Sequence, residues 1–186
     1  MKTVIETKNI FKTFGEGDLA VKALNDVDIK IKEGEFTALV GPSGSGKTTL
    51  LNMIGGLDNP TNGNVILNET EITTLRKQAM TDFRLHNIGF VFQAYNLIPV
   101  LSAYENAEFI MLLQGKPQAD RKKRVYDLLK EVGLEGKESN KPGELSGGQQ
   151  QRVAVVRALA ARPAYILADE PTANLDSKST EDLLDL

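Results

Sequence analysis

The stretch Gly41-Pro42-Ser43-Gly44-Ser45-Gly46-Lys47-Thr48 decides the fold of this 186-residue chain, because it fits the pattern G-x-x-x-x-G-K-[S/T]. The apolar run 36–40 before it predicts a strand, and apolar residues at positions 50, 51, 54 and 57 predict a helix after it. A glycine-rich loop in this setting turns successive backbone N–H groups towards phosphate oxygens, at the positive end of the helix dipole. A turn that is merely flexible does not require this setting, so we predict a nucleotide phosphate site.

Two side chains of this loop have chemistry that suits a nucleotide. Lys47 places a positive charge near the terminal phosphates, and the Thr48 hydroxyl is a ligand for Mg²⁺. Lys47 is therefore predicted to act in catalysis as well as in binding. The predicted ATP contacts of the loop are Gly41, Pro42, Ser43, Gly44, Ser45, Gly46, Lys47, Thr48 and Thr49.

The composition of the chain argues against several other classes of protein. Its 22 basic and 25 acidic residues give a net charge of −3, which is not typical of a dedicated nucleic-acid binder. It has no cysteine, so neither a disulfide framework nor a thiolate metal site is expected. The N-terminus lacks the apolar core of a signal peptide, and no apolar run approaches the roughly 18 residues that span a bilayer. We therefore expect any membrane association to depend on a partner.

The remaining periodicity indicates an α/β domain with a helical insertion. Alternating apolar residues at 27, 29 and 31 predict a strand, as do the apolar runs 65–67, 88–92 and 165–168. Between 94 and 162 the pattern is helical, and the clearest helix is expected to begin at a capping Asp120 and to end at Gly133. The basic run 121–124 is interpreted as the solvated side of that helix and not as a phosphate or nucleic-acid patch.

These elements predict a P-loop, RecA-like α/β fold for the single domain 1–186. We expect residues 1–93 and 163–186 to form the nucleotide-binding core, which begins with an antiparallel β patch. Residues 94–162 are expected to form an inserted α-helical subdomain.

An acidic pair, Asp169 and Glu170, follows the apolar strand at 165–168, at the edge where parallel sheets place their ligands. Asp169 is predicted to hold Mg²⁺, and Glu170 to polarise the attacking water as a general base. On its own, such a pair more often begins a loop or caps a helix. The phosphate loop in the same chain favours the catalytic interpretation.

A second glycine-containing loop, Ser146-Gly147-Gly148-Gln149, opens a helix that is expected to continue to Pro163. Ser146 and Gln149 have the spacing of a capping box, which explains the helix start without any ligand. A cap does not need two glycines, however, and glycine is unfavourable in a helix. The N–H groups of this turn offer a second phosphate-binding surface. Since the chain already has one, we expect the second to serve the nucleotide of another molecule.

Four ordered motifs now resemble a known family across nearly the whole chain. GPSGSGKTT, FVFQ, LSGGQQQRVAVVRALAARP and ILADEPTANLD are similar to the nucleotide-binding subunits of ABC transporters. The phrase IGFVFQAYNLIPVLSAYENAE resembles the branch that serves macrolide export and lipoprotein release. The alternatives are a cell-division ABC ATPase that signals through a membrane partner and a nucleotide-binding fragment that does not hydrolyse ATP. Intact Glu170 argues against the second alternative for the full-length protein.

The resemblance assigns roles to further residues. It implies that Phe14, rather than Phe11, stacks on adenine, and that Gln93 reaches both Mg²⁺ and the attacking water. It places Asp176 at a dimer interface in which two ATPase subunits pair head to tail. Each Ser146–Gln149 loop then closes over the ATP of the partner subunit. The implied activity is hydrolysis of ATP to ADP and phosphate, coupled to integral membrane permease subunits on the cytoplasmic face of the membrane.

One residue that the family has is missing. The family carries a γ-phosphate-contacting histidine after the next strand, whereas the only histidine here is His86, which lies too early in the chain. The sequence stops at Leu186 within an amphipathic segment. We therefore expect a C-terminal truncation, and a 186-residue form that binds nucleotide but hydrolyses it slowly.

Overall fold

The chain begins with two long strands, continues with strands and helices, and places three consecutive α-helices before its last described strand. The computed structural model describes residues 2–172. Within them the strands are β1 (Thr3–Phe14), β2 (Val21–Lys32), β3 (Asn62–Leu67), β4 (Thr70–Glu71), β5 (Ile88–Val91) and β6 (Tyr165–Ala168). The α-helices are α1 (Lys47–Ile54), α2 (Lys77–Asn87), α3 (Ala103–Leu113), α4 (Gln118–Glu131) and α5 (Gly147–Ala160). Short 3-10 helices lie at Gly17–Leu19, Ile72–Thr74 and Pro142–Glu144.

The chain divides into two compact units between Asp82 and Phe83. The predicted division into a core (1–93 and 163–186) and a helical subdomain (94–162) stays a prediction. No helix of the described residues is long and apolar enough to cross a membrane.

The first unit contains an antiparallel sheet with strand order β2-β1-β3-β4. Ile5 pairs with Ile31 of β2 on one side and with Leu67 of β3 on the other. Helix α1 packs on β1 and β2, and the buried side chains of this unit include Ile10 and Met53. The predicted N-terminal antiparallel patch is confirmed. The period-two pattern does not reveal β1, because register shifts between Thr7 and Ile10 interrupt its alternation.

The strand predicted at 36–40 is wrong for this structure. These residues have no strand conformation, and the side chains of Phe36 and Val40 are 92% and 93% exposed. A strand requires a neighbour that accepts and donates its backbone hydrogen bonds. Within residues 2–172, neither sheet contains this segment. Apolar composition alone was therefore not sufficient to predict a strand at 36–40.

The second unit pairs two parallel strands with three helices. Ile88 of β5 lies opposite Tyr165 of β6, and Val91 lies opposite Ala168. The predicted strand at 165–168 is confirmed to the residue, and the one predicted at 88–92 ends one residue earlier. Buried apolar residues of α3, α4, α5 and their connections form the core, which contains Ala103, Ala107, Met111, Val125, Leu128, Leu129, Val132, Leu134, Leu145, Val153, Val156 and Ala160.

Helix α4 corrects one prediction and confirms another. Asp120 does not cap it: the N-cap is Pro117, and Asp120 lies in the first turn, where its charge still favours the helix dipole. Gly133 does terminate it, with φ of 69°. The amide of Gly133 donates to Lys130 and that of Leu134 to Leu129, which is the hydrogen-bond pattern of a Schellman motif.

Candidate functional site

The phosphate loop of the first unit has the backbone that its glycines make possible. Gly44 and Gly46 have φ of 77° and 91°, in the left-handed region that L-residues avoid. A Cβ on Gly46 would lie 2.5 Å from the carbonyl oxygen of Ala23, so the loop approaches β2 more closely than any side chain permits. Gly46 is the N-cap of α1, and no side chain caps the helix. The N-cap residue therefore provides no side-chain acceptor for the amides of the first turn.

Lys47 lies over its own loop. Its Nζ donates hydrogen bonds to the carbonyl oxygens of Gly41 at 2.9 Å and Pro42 at 3.0 Å. Thr48, which is exposed, and Thr49, which is half-buried, follow in the first turn of α1. The loop thus presents an ammonium group, a hydroxyl group and the positive end of a helix within one continuous segment. This donor set suits an anionic phosphate.

The acidic pair and Gln93 lie together in the second unit. Parallel pairing aligns the ends of β5 and β6, and the amide of Asp169 donates to the carbonyl of Val91 at 3.0 Å. The side-chain Nε2 of Gln93 donates to Oε2 of Glu170 at 3.1 Å, although 77 residues separate them. Glu170 has φ of 45°, which is an unfavourable conformation for a residue with a side chain. Both side chains are exposed, so solvent reaches the carboxylate.

The second glycine loop forms the capping box that its spacing predicts. The hydroxyl of Ser146 accepts from the amide of Gln149 at 3.3 Å, and Oε1 of Gln149 accepts from the amide of Ser146 at 2.9 Å. Gly147 and Gly148 are the first two residues of α5. The capping box uses the third amide of the helix and leaves the amides of these two glycines without a side-chain cap. The start of α5 is therefore partly closed by its own side chains.

Helix α5 also carries two polar residues that the sequence analysis missed. Arg157 donates to the carbonyl oxygens of Asn96 and Tyr95, the latter at 2.9 Å, and burial lowers the pKa of its guanidinium. Tyr95 and Asn96 have positive φ of 58° and 50° and follow Gln93 closely in the chain. Gln151, which is fully buried, donates to the carbonyl of Pro171 at 2.7 Å.

Through these two side chains, α5 holds both the segment after Gln93 and the segment after Glu170. The signal available in the sequence was a polar residue on an otherwise apolar helix face, since Gln151 is fully buried together with Val153 and Ala154.

Two further residues were assigned by resemblance, Phe14 of the first unit and Asp176. Phe14 ends β1 and is 46% exposed, with the Nζ of Lys12 4.9 Å from its ring centroid. An exposed aromatic face is available for stacking, but its role as an adenine contact stays a prediction. Asp176 lies outside the described residues.

The comparison with protein families decides which family carries these motifs. The model described as ABC transporter matches residues 24–173 of the chain. The chain belongs to the ABC transporter family. Its α/β fold is that of ABC ATPase cassettes, as a solved relative also shows: the dimeric structure of a post-hydrolysis state of the ATP-binding cassette MJ0796 bound to ADP and Pi matches with a TM-score of 0.91 and 46% identity, over 97% of this chain and 80% of that one.

Curated ABC transporter relatives share nearly half of their residues with this chain. The lipoprotein-releasing system ATP-binding protein LolD of Syntrophotalea carbinolica is 47% identical over 97% of this chain and 79% of its own length. The macrolide export ATP-binding/permease protein MacB of Mannheimia succiniciproducens is 46% identical over 98% of this chain. The chain spans only 28% of that MacB protein. The resemblance to the macrolide-export and lipoprotein-release branch is thus confirmed.

Proposed function

We propose that this chain is the ATP-binding and ATP-hydrolysing subunit that powers a membrane ABC transporter of the export or lipoprotein-release kind. The observation that carries the proposal is the 3.1 Å hydrogen bond between Gln93 and Glu170 at the aligned ends of β5 and β6. A carboxylate held by an amide at the carboxyl edge of a parallel sheet is a suitable base for a water molecule. Family membership indicates that the water attacks ATP.

Binding of ATP is assigned to the phosphate loop. The start of α1, where Gly46 provides no side-chain cap, and the glycine backbone before it donate to the phosphates, and Lys47 exchanges its carbonyl acceptors for phosphate oxygens. The exposed ring of Phe14 stacks on the adenine base.

The reaction is displacement at the γ-phosphorus by water. Glu170 accepts a proton as the water oxygen forms its bond to phosphorus, and the bond from phosphorus to the β–γ bridging oxygen breaks. ADP leaves with the electron pair of that bond, and the proton passes from Glu170 to solvent. Gln93 orients the carboxylate and the water, while Lys47 stabilises the charge that develops on the phosphoryl oxygens.

The residues assigned to Mg²⁺ fit that ion by their chemistry. Thr48, Asp169 and Gln93 offer hydroxyl, carboxylate and amide oxygens, which are the hard donors that Mg²⁺ prefers. Within the described residues no group of three or more His, Cys, Asp or Glu side chains could hold a metal. Mg²⁺ is usually held by few protein oxygens together with substrate phosphates. When bound, the ion supplies neutralisation of phosphate charge.

Assembly follows from the second helix start. The MJ0796 cassette is described as dimeric. In this chain the capping box of α5 does not involve the amides of Gly147 and Gly148. We assign them, with Ser146 and Gln149, to the ATP of a partner subunit, and we assign Asp176 to the interface. We expect permease subunits to hold the pair on the cytoplasmic face of the membrane, since the MacB relative is named as an ATP-binding/permease protein.

The proposal is tested by replacing Glu170 with Gln in the full chain. Steady-state hydrolysis should fall by roughly 10²–10⁴-fold, which is the usual contribution of a general base, while ATP binding changes little. The matched control is Glu131→Gln, since Glu131 is an exposed acid on α4. Undiminished hydrolysis in the Glu170 variant would contradict the assignment of the base.

A further inference from the structure

The second unit contains a cavity that the proposed ATPase chemistry does not use. Its volume is about 590 Å³, and it lies where the C-terminal ends of α3 and α5 approach α4. Four cations line it: Lys116, Lys123, Arg124 and Arg162. None of Gln93, Asp169, Glu170 or the Ser146 loop lines it. Its volume falls in the range of about 300–1,000 Å³ that is usual for small-molecule sites. We call it the basic cavity.

The basic cavity carries an excess of positive charge. Two carboxylates, Asp120 and Asp127, also line it, so its lysines and arginines outnumber its aspartates by two. Within the described part of the chain, none of the four cations takes part in an ion pair. The charges are therefore available to a ligand that enters.

Two polar atoms of the lining are buried without a hydrogen-bond partner among the described residues: Nε of Arg124 and Oε1 of Gln114. The rest of each side chain is anchored, since Nη2 of Arg124 donates to Leu159 at 3.5 Å and Nε2 of Gln114 donates to Leu85 at 2.8 Å. An unsatisfied buried donor and acceptor are unfavourable. A ligand that brings an acceptor for Arg124 and a donor for Gln114 removes both penalties.

The basic run of α4 is thus not simply a solvated surface, as the sequence analysis expected. Arg121 forms an ion pair with Glu108 at 2.7 Å, and Lys122 lies 5.8 Å from the ring centroid of Tyr126. Lys123 and Arg124 instead line the basic cavity. The first two residues of the run thus contact other side chains, and the last two line the basic cavity.

We propose that the basic cavity binds the phosphate group of a small ligand, either free phosphate or a phosphomonoester. A phosphate group of this kind carries a charge of about −1.5 to −2 near pH 7, which matches the excess positive charge of the lining. Two guanidinium groups provide the planar donors that phosphate accepts from. The apolar side chains of Met111 and Ala160 leave room for a carbon skeleton, and Gln114 accepts from a hydroxyl group of that skeleton.

The experiment is a calorimetric titration of the full chain at low ionic strength with inorganic phosphate and with glucose 6-phosphate, and with glucose as the uncharged control. Each titration is repeated on Lys47→Ala, in which the phosphate loop is impaired. Both phosphate probes should bind with or without Lys47, and glucose should not. Equal affinity for the two probes would assign the cavity to free phosphate. Tighter binding of glucose 6-phosphate would assign it to a phosphomonoester.

Variants of the lining locate the binding. Arg124→Gln and the more exposed Lys123→Gln should each weaken binding of the phosphate probes by roughly tenfold or more, as expected for loss of a charged donor. Lys122→Gln, which changes a neighbouring charge outside the cavity, should bind as the parent does. The proposal fails if folded protein binds neither probe, if Lys47→Ala abolishes binding, or if both lining variants bind unchanged.

Discussion

Two helices of this chain begin on glycine-containing loops, and they differ in whether a side chain caps the first turn. Helix α1 begins after Gly46, whose φ is 91° and which offers no side-chain acceptor. Helix α5 begins after Ser146, which forms a reciprocal capping box with Gln149. Because the first amides of any helix lack partners within the helix, an uncapped start is open to a ligand. The N-cap of α1 thus provides no side-chain cap, whereas the capping box of α5 uses one amide and leaves those of Gly147 and Gly148 for the proposed partner nucleotide.

The two helices also differ in their contacts with the rest of the chain. Helix α1 depends on the close approach of Gly46 to the Ala23 carbonyl. Helix α5 holds other segments in place, through Arg157 to Tyr95 and through Gln151 to Pro171. We propose that the first start binds phosphate, and that α5 both offers its start to a partner's nucleotide and holds the segments next to Gln93 and Glu170. Substitutions at the start of α1 should therefore change affinity for ATP, whereas substitutions at the start of α5 should leave that affinity unchanged.

The largest effect is expected for Gly46→Ala, which breaks the α1 side of this comparison. A Cβ would lie 2.5 Å from the Ala23 carbonyl oxygen, at a φ of 91°. We expect ATP binding to weaken by roughly hundredfold or more, because backbone strain of about 1–3 kcal/mol adds to displaced phosphate contacts. Binding is measured by titration, with thermal unfolding to verify the fold.

Gly133→Ala is the matched control, since Gly133 also has positive φ, of 69°, but has open space around it. It should lower stability and leave affinity for ATP unchanged. Normal affinity in a folded Gly46 variant would show that the phosphate loop does not require this backbone.

Lys47→Ala sharpens the comparison by removing charge without changing the backbone. Affinity for MgATP should fall by about 1.5–3 kcal/mol, roughly 10- to 150-fold, because a charge-assisted contact to phosphate is lost. Lys137→Ala, at an exposed position of the second unit, is the control and should have no effect. Equal titration curves for the Lys47 variant and the parent would refute the role of the lysine.

The smallest expected effect is a pH dependence of stability that arises from a glutamate in a capping box. Helix α3 has a box like that of α5, but with Glu105 in place of a glutamine. Hydrogen bonds from the backbone and side chain of Ser102 hold the pKa of Glu105 below its usual value of 4.5. A lowered pKa in the folded state means that the stabilisation is present above that usual value and is lost as pH falls through the lowered pKa.

Urea unfolding of the parent and of Glu105→Gln measures this effect. The parent should be more stable near pH 7 by at most about 0.5 kcal/mol, since Glu105 is exposed and its charge is screened. The difference should vanish near pH 2. Helix α5, which has Gln149 at the same position of its box, should contribute no such dependence. A difference that persists in acid would mean that the charge of Glu105 is not its cause.

How much of the site could be predicted from sequence depends on the range of the contacts involved. The capping box of Ser146 and Gln149 was predictable, because it is made by residues three apart. Strand β6 was equally clear, since four apolar residues precede a polar pair. Arg157 and Gln151 were missed because their partners are 62 and 20 residues away, and a polar residue on a helix face does not reveal which distant group it binds.

Residues 36–40 show the opposite failure, in which a local pattern is correct in composition but finds no strand neighbour in the described structure. The N-cap of α4 was misplaced because Asp120 is a favourable residue both as a cap and within a first turn.

The central claim is that the two helix starts serve phosphate groups of nucleotides in different copies of the chain. It is tested by light scattering on Glu170→Gln with saturating MgATP, alone and combined with Ser146→Asp. Aspartate caps a helix as well as serine does, so α5 should stay stable, but its charge would repel a partner's phosphate. We predict that Glu170→Gln forms a dimer and that the double variant stays a monomer with unchanged ATP affinity. As a control, Ser102→Asp at the N-cap of α3, also combined with Glu170→Gln, should keep the dimer. A dimer that survives Ser146→Asp, or Glu170→Gln that remains monomeric, would contradict the account.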